Sequence, residues 1–467
     1  ETAFVQNVSR NISASGQLTW NTPVDGLSFI GKVGMNYWTK YDKAYRADTY
    51  FDDSKTVGPA TLNVWTANNT YTTFEALATY EKQIKNHTFK LLAGTSVEQS
   101  NNKGLEGYRN TFPNNYLYEL GSGDKSTATN DSSLEEYALL SFFGRINYAW
   151  KDRYLLEVNL RYDGSSRFAD GHRWGLFPSV SAGWRISEED FWKNAAVSAV
   201  VDNLKLRLSY GLAGADNIDA SLWRETWKTG TTTYNGNVVS TYEPNGMKAN
   251  PDLKWETTTS RNIGFDFGLW GSRLSGTLDL YWNTTSDLLM RQEIDSSTGY
   301  SYQYRNIGQT SNKGVELALN YHLIRTKDFN LNVSATYNFN KNNIDELDGG
   351  KDIYYNSGWG SSAQHPSYDY VLSEGKPVGV IRGFKSAGFY TVDDFDYVDG
   401  VYKLKAGIPD ISTAATGTYR RPSELQVADG QIAFPGALKL QDVDKSGIVD
   451  LDDVVDLGEV QAKHTCL

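Results

Sequence analysis

The sequence contains a single cysteine, Cys466, so it can form no internal disulfide and no cysteine-based zinc site. It also lacks any apolar run near the ~18 consecutive residues that a membrane-spanning helix needs. No basic, apolar and small-residue signal pattern opens the chain, which starts at Glu1 rather than at a methionine. These absences exclude disulfide-stapled modules and helical membrane proteins, and we expect the sequence to be the interior of a longer protein.

Positive charge is also scarce. The formal net charge is -11 with a pI near 5.1, and no local basic patch offsets it, which excludes nucleic acid as a partner. The five histidines are scattered singly, without a His-Glu-x-x-His helix or a Gly-x-Ser-x-Gly elbow. The adjacent acids Glu188 and Glu189 fit the start of a short helix capped by Ser187 better than the paired carboxylates of a glycosidase. We therefore predict that the protein is not an enzyme.

The dominant pattern in the sequence is the alternation of apolar and polar residues. From Tyr154 to Tyr162 every second residue is apolar, and the intervening Glu157, Asn159 and Arg161 are polar, which is typical of a strand with one apolar face. About a dozen such segments are predicted, several near the ~10 residues that a tilted strand needs to cross a bilayer. The clearest further ones are 27–37, 89–97, 138–150, 176–186, 204–212, 263–269, 274–282, 315–323 and 329–339. The predicted fold class is all-β, a partial antiparallel transmembrane β-barrel.

The connections alternate in length. Residues 150–153 and 270–273 are tight turns, whereas 213–255, 283–312 and 340–376 are long and polar, an asymmetry typical of outer-membrane barrels with short periplasmic turns and long extracellular loops. Aromatic residues near strand ends, including Trp150, Trp184, Trp255 and Trp270, predict an interfacial girdle. We assign residues 1–340 to barrel strands and loops. Residues 341–467 are assigned to a large extracellular excursion with a possible strand at 378–390.

Residues 442–453 match the pattern of a calcium-binding loop, with oxygen donors at alternate positions around a glycine. Calcium prefers six to eight oxygen ligands. The predicted ligands are Asp442, Asp444, Ser446, the Ile448 carbonyl, Asp450 and Asp453. The last ligand is Asp rather than the longer Glu, which predicts modest affinity, and the alternative is a solvated acidic turn.

A second motif is Asp163-Gly164-Ser165-Ser166-Arg167-Phe168, which follows one predicted strand and precedes the next. Asp-Gly and Ser-Ser are turn formers. We interpret this motif as a rigid hairpin end with a structural role.

An ordered series of motifs resembles the SusC/RagA-type TonB-dependent transporters. The series comprises residues 138–145, the Asp163 to Phe168 motif, 173–179, 181–185, 206–211, 250–256, 306–308, 312–316 and 435–436. No single motif is decisive, but their order is highly specific. The resemblance covers essentially the whole chain, more loosely before residue 137 and between 349 and 433.

The resemblance implies a place in the bacterial outer membrane and import of oligosaccharides or peptides. It also implies a SusD-like surface lipoprotein as partner, and TonB acting through a plug region that this sequence does not contain. A complete barrel of this type has ~22 strands, so about a dozen strands form only part of one.

The alternative function is a surface glycan-binding or adhesin β-protein without transport. The loop aromatics Trp223, Trp227, Tyr300 and Tyr302 are candidates for stacking on sugars, although loop packing explains them equally well. The substrate itself is not specified by the sequence.

Overall fold

The computed structural model describes residues 3–52, 55–357, 368–412, 415, 421–459 and 464–466. Within these ranges the chain is nearly all β, as predicted. Its long strands, numbered in chain order, are β1 (Phe4–Asn21), β2 (Leu27–Arg46), β3 (Thr61–Ile84), β4 (His87–Asn110), β5 (Thr129–Trp150), β6 (Tyr154–Ser165), β7 (Trp174–Arg185), β8 (Val201–Ala215), β9 (Glu256–Leu269), β10 (Leu274–Ser286), β11 (Gln309–Arg325) and β12 (Asn330–Glu346).

Strands β1 to β9 form an antiparallel sheet in which each strand pairs with the next along the chain. The register between β3 and β4 runs without a break from the Ile84 and His87 pair to the Thr61 and Asn110 pair. Because antiparallel neighbours can be joined by very short connections, this order explains the tight turns predicted from the sequence. The predicted antiparallel fold is confirmed.

One end of this sheet, the turn end, carries the short connections, together with the longer segment 186–200 between β7 and β8. Lys151 and Asp152 follow β5 with φ angles of 52° and 53°, the left-handed conformation that a tight hairpin turn requires. The opposite end, the loop end, carries the long connections, including the segment between β8 and β9. The asymmetry predicted from the sequence is therefore present.

The sheet has one apolar and one polar face. On β6, the apolar face carries Tyr154, Leu156, Val158, Leu160 and Tyr162, which are 39 to 50% exposed. Cross-strand neighbours belong to the same face, so Val158 lies opposite Val180 and Leu156 opposite Ala182. An exposed apolar surface that spans several strands is unusual on a protein surrounded by water. Lipid contact explains it.

Aromatic rings border the apolar face at both ends. At the turn end the Tyr154 ring lies 5.4 Å from that of Trp150 and 6.4 Å from that of Trp184, and at the loop end Tyr162 and Trp174 stack at 4.7 Å. Tyr154 and Tyr162 lie eight residues apart, about 26 Å along the strand and about 20 Å along a membrane normal after tilting. This agrees with the height of the apolar band of an outer-membrane barrel.

Trp255 does not belong to this border. It is 8% exposed and packs against Phe168 and Phe177, because the polypeptide before β9 folds back over the loop end of the sheet. The girdle prediction was wrong for this residue.

The first five strands of the sheet are longer than the next four. Strands β1 to β5 have 18 to 24 residues, whereas β6 to β9 have 12 to 15. About 9 to 11 residues suffice to cross a bilayer. The longer strands therefore extend beyond β6 at the loop end.

The remaining elements are short. Further strands are Thr49–Asp52, Lys55–Val57, Trp227–Tyr234, Asn237–Pro244, Met247–Lys248, Leu289–Glu293, Tyr302–Asn306, Ile353–Tyr355, Tyr370–Leu372, Val380–Gly383, Ser386–Phe389, Phe395–Val398, Val401–Leu404, Asp410–Ile411, Leu438–Leu440, Ile448–Val449, Val455–Glu459 and His464–Cys466. Among the elements that the structure describes in full, an α-helix spans Asp190–Lys193, and 3-10 turns span Leu120–Ser122, Lys125–Thr127, Ile186–Glu188, Ala196–Ala199, Ser296–Thr298, Asp348–Gly350, Val392–Asp394 and Leu451–Asp453. In the described part of the chain, no helix has the length and apolar character to span a membrane.

The short helix after β7 begins later than predicted. Ser187 does not cap it, because Ser187 is buried within the 3-10 turn Ile186–Glu188 and the α-helix begins at Asp190. Glu189 occupies the N-cap position, but its side chain makes no capping hydrogen bond. It accepts hydrogen bonds from the Tyr154 hydroxyl (2.6 Å), Trp184 Nε1 (3.0 Å) and Arg153 Nη1 (2.7 Å).

These hydrogen bonds give a pH-dependent prediction. The hydrogen bond from the Tyr154 hydroxyl, supported by those from Trp184 and Arg153, lowers the pKa of Glu189. A carboxyl whose pKa is lowered by folding stabilises the protein above its unfolded pKa of about 4.3, and this contribution is lost as the pH falls through the folded pKa. We therefore expect the wild type to be more stable than Glu189→Gln at pH 7, with a difference that shrinks at acidic pH. Denaturation midpoints across the pH range would measure it, and a pH-independent difference would contradict the assignment.

The chain divides into two compact units. Unit 1 comprises 1–277, 287–306 and 321–330, and unit 2 comprises 278–286, 307–320 and 331–467. Unit 2 has a core of its own around Tyr390, Phe395, Phe434 and Val449. The division of the chain at residue 340 into barrel and excursion stays a prediction.

The single strand predicted at 378–390 was wrong. Two short strands, Val380–Gly383 and Ser386–Phe389, occupy this range and pair with different partners, Val455–Glu459 and Leu438–Leu440. The chain changes partner between them because Phe384 turns into the core of unit 2.

Candidate functional site

The polar face of the sheet carries charged side chains that pair with each other. Lys32 Nζ lies 2.9 Å from Glu75 Oε2 on the neighbouring strand, and Arg207 Nε lies 2.9 Å from Asp266 Oδ1. The Tyr71 hydroxyl donates to Glu98 Oε2 at 2.6 Å. Such pairs are suited to a wet interior surface, where they keep charges satisfied on a wall that borders a water-filled or plugged space.

The motif Asp163 to Phe168 joins two parts of unit 1. Ser165 Oγ donates to Asp216 Oδ2 at 2.7 Å, and Arg167 Nη1 donates to the Asp216 carbonyl at 3.0 Å. Asp163 accepts from Arg161 Nε at 2.7 Å through Oδ2, while its buried Oδ1 has no hydrogen-bond partner among the described residues. The end of β6 is thereby attached to the segment that follows β8.

A small hydrophobic core lies behind this motif. Phe168 is fully buried, and its ring lies 5.5 Å from that of Trp255. Trp255 Nε1 donates to the Arg173 carbonyl at 2.8 Å, and Arg173 Nε donates to the Phe168 carbonyl at 3.2 Å. The other buried members are Phe177, Ile218, Leu222, Met247 and Leu253. This core holds the long loops at the loop end in a defined arrangement.

The calcium-type loop is the second candidate site. Carboxylate oxygens of Asp442, Asp444 and Asp453 all lie within 4.8 Å of one another. The Ser446 amide donates to Asp442 Oδ1 (3.1 Å) and Asp444 Oδ1 (2.9 Å), and the Gly447 amide donates to Asp442 Oδ2 (2.9 Å). Hydrogen bonds from Ser446 lower the pKa of Asp444. The lowered pKa favours the ionised form of Asp444, whose carboxylate lies close to that of Asp442.

The other predicted ligands contribute in different ways. Ser446 Oγ donates to the Ile448 carbonyl at 2.9 Å, so two predicted ligands are hydrogen-bonded to each other. Asp450 caps the 3-10 turn Leu451–Asp453 by accepting from the Asp452 amide. Fully buried Asp453 accepts from the amides of Val443, Asp444 and Asp450. Each carboxylate oxygen has two lone pairs, so Asp453 can shape the loop and still bind a cation.

The core of unit 2 supports the calcium-type loop. Val449 is fully buried, and Ile448–Val449 pairs in parallel with Asp410–Ile411. The left-handed φ angles of Lys445 (62°) and Gly447 (91°) produce the tight bend between the carboxylates. The donor set consists of hard oxygens, four of them from aspartate carboxylates, and it fits calcium better than a soft metal.

Three of the four loop aromatics proposed for sugar stacking contact neighbouring side chains. Tyr302 packs beneath the Arg291 guanidinium at 4.0 Å, Trp223 lies beside the Arg224 guanidinium at 4.2 Å, and the Tyr300 hydroxyl donates to Glu225. Trp227 is 58% exposed at the base of the hairpin formed by Trp227–Tyr234 and Asn237–Pro244. Only Trp227 among them presents most of its ring to solvent.

Comparison with known proteins places this geometry in a family. A family model described as TonB dependent receptor-like, beta-barrel, matches residues 3–434. TonB-dependent receptor P3 of Formosa agariphila is 31% identical over 377 residues, 80% of this chain and 36% of that protein. TonB-dependent receptor SusC of Bacteroides thetaiotaomicron is 40% identical over 223 residues, 46% of this chain and 22% of SusC.

Solved structures agree on the fold. The RagAB peptide importer in its closed-closed state superposes with a TM-score of 0.73 at 22% identity, covering 93% of this chain and 46% of that chain. The chain spans about a third of the length of the two Formosa receptors that it matches over 80% and 81% of its own length. The chain therefore belongs to the TonB-dependent receptor β-barrels, with SusC as a relative over part of its length, and lies in the outer membrane as a multi-pass transmembrane β-protein.

Proposed function

We propose that the chain is part of a TonB-dependent outer-membrane transporter that imports oligosaccharides or peptides together with a SusD-like lipoprotein. The observation that carries this proposal is the two-faced sheet, with an apolar band bordered by aromatic rings on one side and paired charges on the other. A wall of this kind separates lipid from a hydrated interior. Neither a signalling nor a catalytic role requires such a wall.

Fewer observations bear on the choice between oligosaccharides and peptides as the substrate. The RagAB structures are those of a peptide importer, and SusC is a TonB-dependent receptor. Three of the four loop aromatics are engaged with neighbouring side chains, which gives little support to a sugar-stacking role. Peptides are therefore the substrate class that we test first, with oligosaccharides as the second.

The test is uptake by cells that carry the complete parent protein. Fluorescent oligopeptides and oligosaccharides are offered to cells with and without TonB, and to cells that lack SusD-like lipoproteins. Accumulation that requires TonB supports the proposal. Surface binding without TonB-dependent accumulation overturns it and favours the adhesin alternative.

We also propose that residues 442–453 bind calcium and thereby stabilise unit 2. Asp442, Asp444, Ser446, the Ile448 carbonyl, Asp450 and Asp453 would hold the ion. The convergence of three carboxylates on a loop that is attached to the buried Val449 supports this proposal. Calcium would offset the mutual repulsion of the carboxylates.

Calcium at 100 times its dissociation constant is expected to stabilise the folded protein by about 2.7 kcal/mol. The double substitution Asp442→Asn and Asp444→Asn should abolish this stabilisation, because it removes two charged ligands. Asp429→Asn, an exposed acid outside the loop, should leave it unchanged. Thermal unfolding and isothermal titration in detergent measure the effect. No heat and no stabilisation in the unmutated protein would overturn the proposal.

A further inference from the structure

The loop end of the sheet leaves part of one strand edge unpaired. Strand β5 pairs with β4 along its whole described length, from Thr129 to Trp150. Its pairing with β6 begins only at Leu139, because β6 ends at Ser165. Within the residues that the structure describes, no strand pairs with 129–137 on that side. All residues from Thr129 to Glu136 are exposed.

The hydrogen bonds identify the groups that this edge offers. The Ala138 carbonyl accepts from the Ser166 amide, and the Ala138 amide donates to Ser166 Oγ, so the backbone groups of Ala138 point towards the β6 side. Backbone groups of alternate residues point the same way in a strand. The amides and carbonyls of Asn130, Ser132, Leu134 and Glu136 therefore face the open side. Consistent with this, the Ser132 amide donates to the carboxylate of its own neighbour, Asp131, at 2.7 Å.

A cleft of about 990 Å³ adjoins the edge, at the upper end of the range usual for ligand sites. Residues 134–138 form part of one wall, and Asp219, Ala220, Ser221 and Arg224 from the segment after β8 form part of the other. The same segment is held in place by the hydrogen bonds between Asp216, Ser165 and Arg167. The cleft is thus part of the fixed arrangement of the loop end.

The charges around the cleft favour one kind of occupant. Its lining contains three carboxylates, of Glu135, Glu136 and Asp219, and one guanidinium, of Arg224, which leaves a formal charge of −2. Asp131 adds another carboxylate along the same edge. Two acidic edges of this kind repel each other, which protects the protein from pairing with its own copies. A basic strand would be attracted.

We propose that the edge of β5 at residues 130–136 captures extended, lysine- or arginine-rich oligopeptides from the medium by adding them as a strand. Backbone hydrogen bonds supply affinity in this binding mode, and side-chain pockets and charges supply selectivity. The inference deepens the proposed import function, since it names basic peptides as the solute bound at the outer face. Binding is measured without transport, so its failure leaves the uptake result unaffected.

The experiment uses the complete protein in detergent and a fluorescent eight-residue peptide of alternating lysine and threonine with blocked ends. Fluorescence anisotropy gives the dissociation constant. Ser132→Pro removes a backbone donor on the open edge and adds a ring there, without breaking the β4 ladder, and should weaken binding about tenfold or more. Ser132→Ala keeps the donor and serves as the matched control, with binding within about twofold of the unmutated protein.

Modified peptides provide a second test of strand addition. N-methylation of either all lysines or all threonines removes donors from one edge of the peptide while its charge is kept. Strand addition requires that one of these two peptides loses binding and the other retains it. Equal binding of both, or unchanged binding to Ser132→Pro, would overturn the proposal and leave only charge attraction. A peptide with glutamate in place of lysine should not bind, and binding of it as tight as that of the lysine peptide would also overturn the proposal.

Discussion

Val180→Arg is expected to destabilise the folded protein in phospholipid bilayers by about 2–4 kcal/mol. Val180 is 41% exposed on the apolar face of β7 and lies opposite Val158 and Tyr210, between the two aromatic borders. In water, a charged side chain at an exposed position would change stability by about 0.5 kcal/mol or less. In lipid, the guanidinium loses its hydration near the bilayer midplane, so the cost is severalfold larger.

The neighbouring residue provides the control. Ser181 lies one position along β7, on the polar face, opposite Glu157. Ser181→Arg should cost less than about 1 kcal/mol, because the new guanidinium stays hydrated and lies near a carboxylate. Urea unfolding in phospholipid vesicles measures both variants. Equal effects of the two substitutions would contradict the assignment of the faces.

The second large effect concerns the motif Asp163 to Phe168, and Phe168→Ala should destabilise the protein by about 3–5 kcal/mol. The Phe168 ring is fully buried against Trp255, and its removal leaves a cavity at the centre of the core beneath the long loops. The loops are expected to loosen before the sheet unfolds, since the strand pairs of β6 and β7 are unaffected.

Phe191→Ala is the matched control for this prediction. Phe191 is 60% exposed in the short helix at the turn end, so its truncation should cost well under 1 kcal/mol. Hydrogen exchange resolves where the effect of Phe168→Ala arises. We expect amides of residues 216–255 to lose protection from hydrogen exchange in Phe168→Ala, while the amides of β7 keep theirs. A loss of under 1 kcal/mol in Phe168→Ala would show that the motif has no structural role.

The strands that sequence reasoning located well are those inside the lipid band. From Tyr154 to Tyr162 one face contacts lipid and the other water, so the chemical alternation of the residues matches the period of the strand. Strands β1 and β3 were missed. Their sequences are rich in Asn, Thr and Ser, and the outer half of β3 extends beyond the apolar band, where contact with lipid does not impose an alternation of apolar and polar residues.

The misplaced elements depend on tertiary contacts. Ser187 is a good capping residue by type, yet Glu189 occupies the cap position because its carboxylate is held by Tyr154 and Trp184. Trp255 lies near a strand end in sequence, but it is drawn into a core with Phe168, 87 residues earlier in the chain. Sequence periodicity carries no information on such distant partners.

The candidate sites also differ in how far they depend on residues that are distant in the sequence. The calcium-type loop is local, so Asp442, Asp444 and Asp453, which are close in sequence, also lie together in the structure, and calcium binding there stays a prediction. The open edge of β5 could not be predicted, because it arises from the difference in length between β5 and β6. A length difference between neighbours becomes visible only when the register of the strands is known.

The sheet crosses the membrane with one face in lipid, and site-specific fluorescence quenching along β7 tests this placement. Single cysteines are introduced at 176, 178, 180, 179, 181 and 183 in a Cys466→Ser background and labelled with a small fluorophore. Brominated lipids should quench the labels at the even positions, and aqueous iodide should quench those at the odd positions. Quenching by iodide at all six positions would show that β7 lies outside the bilayer and would contradict the placement of its apolar face in lipid.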